Sequence, residues 1–92
     1  MSVQWLFDVI EERKKNPSEK SYTTSLFLEG LPKMAQKVGE EGTEVVVAAL
    51  AQDDQRLVEE VADLTYHTLV LLSARGLSPV DVMTELEKRH KK

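Results

Sequence analysis

The chain is predicted to fold as an all-α protein, a compact bundle of about five helices. Three observations carry that prediction. Apolar residues recur at spacings of three and four, the period of an amphipathic helix. Serine, aspartate, proline and glycine punctuate the chain at intervals of helix length. No stretch keeps the period of two that a half-buried strand needs. Val45-Val46-Val47 favours strand locally, but it sits inside a longer helical pattern that continues into alanines.

Ser2 caps a first helix to about Lys15, with Trp5, Leu6, Val9 and Ile10 as its apolar stripe. Asn16-Pro17-Ser18 ends it, because proline crowds the preceding residue out of helical geometry. The segment from Pro17 to Tyr22 is polar and reads as a loop. Thr23 or Thr24 caps a short second helix through Leu28, and Gly30 stops it. Pro32 falls in the first turn of a third helix, Leu31 to Gln52, where its missing N–H is no loss. Gly39 and Gly42 inside that helix each cost roughly 0.5–1 kcal/mol relative to alanine, which points to a close backbone approach. Asp53 or Asp54 caps a fourth helix through Ala74, closed by Arg75-Gly76. Ser78-Pro79-Val80-Asp81 reads as a capping box for a final helix to about Arg89, and Lys91 and Lys92 are expected to fray.

The 92 residues suit a single domain spanning 1–92. The 12 Lys and Arg against 16 Asp and Glu leave a net charge of −4, which argues against a protein that coats nucleic acid or an anionic membrane. With no cysteine, disulfides and thiolate metal sites are excluded, and the chain fits a reducing compartment. Met1-Ser2-Val3-Gln4-Trp5 lacks the basic start of a signal peptide. The apolar stretches Val45–Ala51 and Leu69–Leu72 fall far short of the roughly 20 residues that span a bilayer. A cytoplasmic protein is expected.

From Val45 to Leu50, and from Val61 to Leu72, apolar residues point in most directions around the helix axis. A helix on the surface of a small monomer keeps a polar face. So short a chain has few helices with which to cover these two, so a homodimer is predicted. The alternative is a monomeric bundle with an exposed apolar patch, and such patches usually mark contacts.

Glu40, Glu41 and Glu44 stand at i, i+1 and i+4, within roughly a 100° arc of the third helix. Glu60 and Asp63 stand at i and i+3 on the fourth, and His67 lies one turn further. If the two helices pack antiparallel across the turn near Asp53, the two acidic faces meet at one level. A pair of like charges at about 4 Å costs on the order of 4 kcal/mol at an effective dielectric near 20. Two helices otherwise rich in Val, Leu and Ala gain nothing in stability from such repulsion. A hard divalent cation offsets it, and Mg²⁺ favours carboxylate oxygens shared with substrate phosphates. It would shield a polyphosphate and activate a water for attack. Glu11, Glu12, Glu85 and Glu87, by contrast, read as ordinary solvated residues.

Glu40-Glu41-Gly42-Thr43-Glu44 with Glu60-Val61-Ala62-Asp63 resembles the EExxE…ExxD signature of the all-α nucleotide pyrophosphohydrolases, the MazG-like superfamily. Ser21-Tyr22-Thr23, Leu26-Phe27, Gln36-Lys37-Val38-Gly39-Glu40-Glu41, Ala62-Asp63-Leu64, Tyr66-His67 and Arg75-Gly76-Leu77 narrow the resemblance. They are similar to the phosphoribosyl-ATP pyrophosphohydrolases of histidine biosynthesis, over most of the chain from about Ser21 to His90. The resemblance implies the all-α NTP pyrophosphohydrolase fold and a helical homo-oligomer, usually a dimer. It implies Mg²⁺-dependent hydrolysis of phosphoribosyl-ATP, a small-molecule nucleotide, to phosphoribosyl-AMP and pyrophosphate. It also implies Glu41, Glu44, Glu60 and Asp63 as metal ligands, with Glu40 a further ligand or the group that positions the attacking water.

Lys37 lies one turn before Glu40 and Glu41 and is read as a phosphate contact, with i, i+4 pairing to Glu41 as the ordinary alternative. Lys33 is read as ordinary pairing. Ser21, Tyr22 and Thr23 precede a helix start, where hydroxyls and N–H groups suit an anion or simply cap the helix. His67 is read as a structural hydrogen-bonder, and Trp5 and Phe7 as core or dimer contacts. Two other functions share these features. One is a housecleaning pyrophosphohydrolase acting on free or damaged nucleoside triphosphates. The other is a non-enzymatic acidic helical interaction module.

Overall fold

In the computed structural model, residues 1–91 are described, and the expected fraying of Lys92 lies outside them. Five helices follow in order: α1 Val3–Lys15, α2 Tyr22–Glu29, α3 Leu31–Ala51, α4 Asp54–Ala74 and α5 Pro79–His90. Among the described residues there is no strand, and no helix is long and apolar enough to cross a membrane.

The helix ends follow from cap chemistry. The Ser2 hydroxyl accepts from Trp5 N, and the Asp53 carboxylate accepts from Arg56 N at 2.8 Å. Ser78 and Asp81 close the expected capping box around Pro79. Gly30 sits at φ 94°, a conformation that side chains with a Cβ resist, and it both ends α2 and opens α3. The second helix starts earlier than expected, at Tyr22. Its cap is Ser21, whose hydroxyl accepts from Thr24 N, rather than Thr23 or Thr24. Those two threonines are engaged elsewhere. Thr23 hydrogen-bonds the Tyr66 hydroxyl, and Thr24 is buried and accepts from Ser18 N.

The core joins α1, α2, α3 and the second half of α4 through Phe7, Ile10, Leu26, Met34, Leu69 and Val70. Ile10 and Phe7 form the buried side of α1, while Trp5 is 49% exposed, so the stripe is rotated towards Phe7. Helices α3 and α4 share the most extensive packing, with Ala48 buried between them. The close approach expected at Gly39 and Gly42 is not made within the described chain. A Cβ built at either position meets no heavy atom within 4 Å. Val46, Val47 and Leu50 of α3, and Val58 and Val61 of α4, remain exposed. Helix α5 lies on the edge of the bundle with no buried residue. It walls one side of an apolar groove of about 330 Å³ with Val3, Leu64, Leu72 and Met83.

Ile10 is only 1% exposed and stands at the centre of the core. Truncating Ile10→Ala is expected to lower the unfolding free energy by about 2–5 kcal/mol, through lost burial and the cavity left behind. Urea denaturation measures this. A loss below about 1 kcal/mol would place the core elsewhere.

Candidate metal centre

Only two residues, Gln52 and Asp53, link α3 to α4. So short a connection folds the helices back on each other and brings Glu41 opposite Glu60 and Asp63. One carboxylate oxygen from each of the three lies within 4.8 Å of the other two. Three carboxylates grouped in this way are the hard oxygen donors that a divalent cation such as Mg²⁺ prefers. Glu41 and Glu60 are buried, at 7% and 4% exposure, and Asp63 is exposed.

Burying two carboxylates on facing helices is unfavourable unless their charge is compensated. One oxygen of each is compensated. Lys37 Nζ lies 3.5 Å from Glu41 Oε1, and Arg56 Nη2 lies 2.5 Å from Glu60 Oε1. The other oxygen of each, Oε2, is buried and has no hydrogen-bond partner. Such orphaned acceptors are rare in native interiors. Two of them beside a third carboxylate form a donor set that suits a hard cation.

The remaining predicted residues fall around this group. Glu44 borders the three clustered carboxylates, exposed and next to those of Glu60 and Glu41. Its pKa is pushed up to about 7, first because the adjacent Glu60 and Glu41 carboxyls can accept a hydrogen bond only from its protonated form, and then by their like charge. Glu40 faces solvent on the outer side, hydrogen-bonded by Gln36 at 3.1 Å and 3.6 Å from Lys37. The Gln36 hydrogen bond first, and then the Lys37 charge, hold its carboxyl below the usual glutamate value. Partial burial works against the Lys37 ammonium. Tyr22, Glu41 and Glu40 outweigh it and hold its pKa above that of free lysine. The ordinary i, i+4 pairing of Lys37 with Glu41 is therefore present.

Ser21, Tyr22 and Thr23 form the start of α2, and all three hydroxyls have partners within the chain. Ser21 caps its own helix. Tyr22 and Thr23 reach across to His67 and Tyr66 of α4. His67 is buried, with Nδ1 2.8 Å from the Asp63 carbonyl and Nε2 3.1 Å from the Tyr22 hydroxyl. A carbonyl only accepts, so Nδ1 carries the hydrogen and Nε2 accepts from Tyr22. That is the structural role expected of His67, and it ties α2 to the turn of α4 that carries Asp63. Arg56 was not among the residues singled out from the sequence. The available signal was its place four residues before Glu60, matching Lys37 before Glu41.

The family model for phosphoribosyl-ATP pyrophosphohydrolase matches residues 3–90. The chain belongs to that family. It is 52% identical over 91 residues to the phosphoribosyl-ATP pyrophosphatase of Lacticaseibacillus casei (strain BL23), covering 99% of this chain and 83% of that one. The phosphoribosyl-ATP pyrophosphatase of Pyrobaculum calidifontis (strain DSM 21063 / JCM 11548 / VA1) is 52% identical over 86 residues, covering 94% and 92%. The histidine biosynthesis bifunctional protein HisIE of Xylella fastidiosa (strain Temecula1 / ATCC 700964) is 51% identical over 83 residues, covering 90% of this chain and 40% of that one. The expected resemblance to the phosphoribosyl-ATP pyrophosphohydrolases is thereby borne out.

The raised Glu44 pKa makes a prediction for this member of the family. An acid whose pKa rises on folding holds a proton that the unfolded chain has lost, so the stability it contributes is complete below the unfolded value and falls with rising pH. The window runs from about 4.5 to about 7. Glu44 is exposed, so water screens the effect. In chelator, the melting temperature of the parent is expected to fall across this window more steeply than that of Glu44→Gln. Parallel slopes would show that Glu44 does not share its proton with Glu60 and Glu41.

Proposed function

We propose that this chain hydrolyses phosphoribosyl-ATP to phosphoribosyl-AMP and pyrophosphate, with Mg²⁺ held by Glu41, Glu44, Glu60 and Asp63. The observation that carries the proposal is that Glu41 and Glu60, clustered with Asp63, each keep a buried oxygen without a hydrogen-bond partner, in a chain of this family. When bound, Mg²⁺ supplies charge screening for the polyphosphate and lowers the pKa of a coordinated water. Glu40, exposed beside the group, orients the attacking water or adds a ligand. Lys37, about one turn from Glu40 and Glu41, offers a point charge to a substrate phosphate. Ser21, Tyr22 and Thr23 bring the N-terminal turn of α2 to the substrate, where backbone N–H groups favour an anion. Tyr22 is more than half exposed and presents the broadest face of the three. The oxygen of water bonds to one phosphorus of the α–β anhydride, the bond from that phosphorus to the bridging oxygen breaks, and the bridging oxygen stays with the other phosphorus as phosphoribosyl-AMP and pyrophosphate separate and a proton is released.

A homodimer completes the proposal. Val46, Val47 and Leu50 on α3 and Val58 and Val61 on α4 form apolar surface that the chain does not cover. A second copy of the same two helices matches it in kind. The reading places the enzyme in the cytoplasm.

Purified protein with Mg²⁺ is expected to release pyrophosphate from phosphoribosyl-ATP far faster than from ATP or dCTP, and Glu60→Gln to reduce that rate by at least about 100-fold. Equal rates on the three nucleotides would favour a housecleaning enzyme, and undiminished turnover by Glu60→Gln would refute the ligand assignment. Leu50, at 83% exposed, tests the dimer. Leu50→Glu is expected to shift the parent from dimer to monomer in sedimentation velocity, and a parent that sediments as a monomer would overturn the assembly.

A further inference from the structure

Arg56 is a half-exposed residue on the first turn of α4, with its backbone N–H on the Asp53 cap at 2.8 Å. Its guanidinium spans two neighbouring carboxylates. Nη1 lies 2.5 Å from Glu59 Oε1, and Nη2 lies 2.5 Å from Glu60 Oε1. Glu59 is in turn held by Gln55 at 3.2 Å. The fork is thus anchored at its solvent side by one carboxylate and grips a buried carboxylate with the other arm. Glu60 would otherwise be loosely set, because the terminal torsion of a glutamate is broad and two-fold. With Oε1 tied to Arg56, Oε2 is the oxygen of Glu60 left buried without a partner, in a residue that is clustered with Glu41 and Asp63.

We infer that Arg56 is a positioning residue for the cation site: it fixes Glu60 by its outer oxygen and presents the inner oxygen to the ion. The inference rests on the reading of Glu41, Glu60 and Asp63 as that site. Lys37 stands in the same relation to Glu41, four residues earlier on its own helix, but at 3.5 Å and as a point charge. Arginine is required at position 56 because only a planar fork reaches Glu59 and Glu60 together. Arg56 also contributes a positive charge close to the ion, which by itself repels it. Position and charge therefore pull metal affinity in opposite directions, and the substitutions separate them. Partners that orient metal ligands typically change affinity by about 10–100-fold when removed.

The test is a titration of the full chain with Mn²⁺ alone, without nucleotide, following free Mn²⁺ by electron paramagnetic resonance. Arg56→Lys keeps the charge and loses the fork, and is expected to bind about 10-fold more weakly than the parent, with an unchanged helical spectrum. Arg56→Gln loses both fork and charge, and is expected to bind no more tightly than the parent. Arg56→Lys within twofold of the parent, or Arg56→Gln binding more tightly, would overturn the inference and make Arg56 a mere competitor for Glu60. A parent that binds no Mn²⁺ would overturn the cation reading and this inference together, whereas a parent that binds beside an unaffected Arg56→Lys overturns this inference alone.

Discussion

The antiparallel packing of α3 on α4 is the constraint on which the rest of the molecule depends. A two-residue link sets the level at which the helices meet, and that level places Glu41 against Glu60 and Asp63. One residue more or less would rotate the partner helix by about 100° and carry its carboxylates away from the seam. Ala48, two turns beyond Glu41 on α3, is buried as well. The packing that orders the fold therefore also buries two negative charges, and a buried charge is unfavourable without a partner.

The chain resolves that conflict halfway. Lys37 and Arg56 stand on the outer edges of the seam and each satisfy one oxygen of a buried glutamate. The inner oxygens stay unsatisfied. A protein built only for stability would replace such groups with apolar ones, since substituting buried ion pairs by packed side chains is often neutral or favourable. On the proposed reading, the seam is where stability gives way to binding. The apolar core gathers around Ile10, Leu26 and Val70.

Helix α2 is bound to the same region by polar contacts. Tyr22 meets His67, and Thr23 meets Tyr66, with the three rings of Tyr22, Tyr66 and His67 mutually within 6.2 Å. Burial raises the Tyr66 pKa and keeps its phenol in the hydrogen-bonding form. His67 passes the connection on to the Asp63 carbonyl. Besides the core packing of Leu26 with Leu69 and Val70, these hydrogen bonds connect α2 to the turn of α4 that carries Asp63.

Much of this was legible in the amino-acid sequence. Caps and breakers placed α1, α3, α4 and α5 to within a residue or two, because a cap is a contact between residues three apart. The acidic spacing named all three clustered carboxylates, since helical geometry puts i, i+3 and i+4 on one face. The cap of α2 was misread because Ser21, Thr23 and Thr24 all suit the role by type, and only contacts with Ser18 and Tyr66 assign the two threonines elsewhere. Gly39 and Gly42 were read as close-approach positions from propensity alone, yet among the described residues no other part of the chain comes within 4 Å of a Cβ built at either. Five carboxylates looked equivalent along the chain. Folding buries Glu41 and Glu60, leaves Glu40 in solvent, and sets Glu44 to one side. Sequence by itself determined the helices, the acidic faces and the family, because these are properties of local spacing and residue type. Tertiary structure alone decided which oxygens are orphaned and which cations hold the others, because burial and register arise only when distant segments of the chain meet.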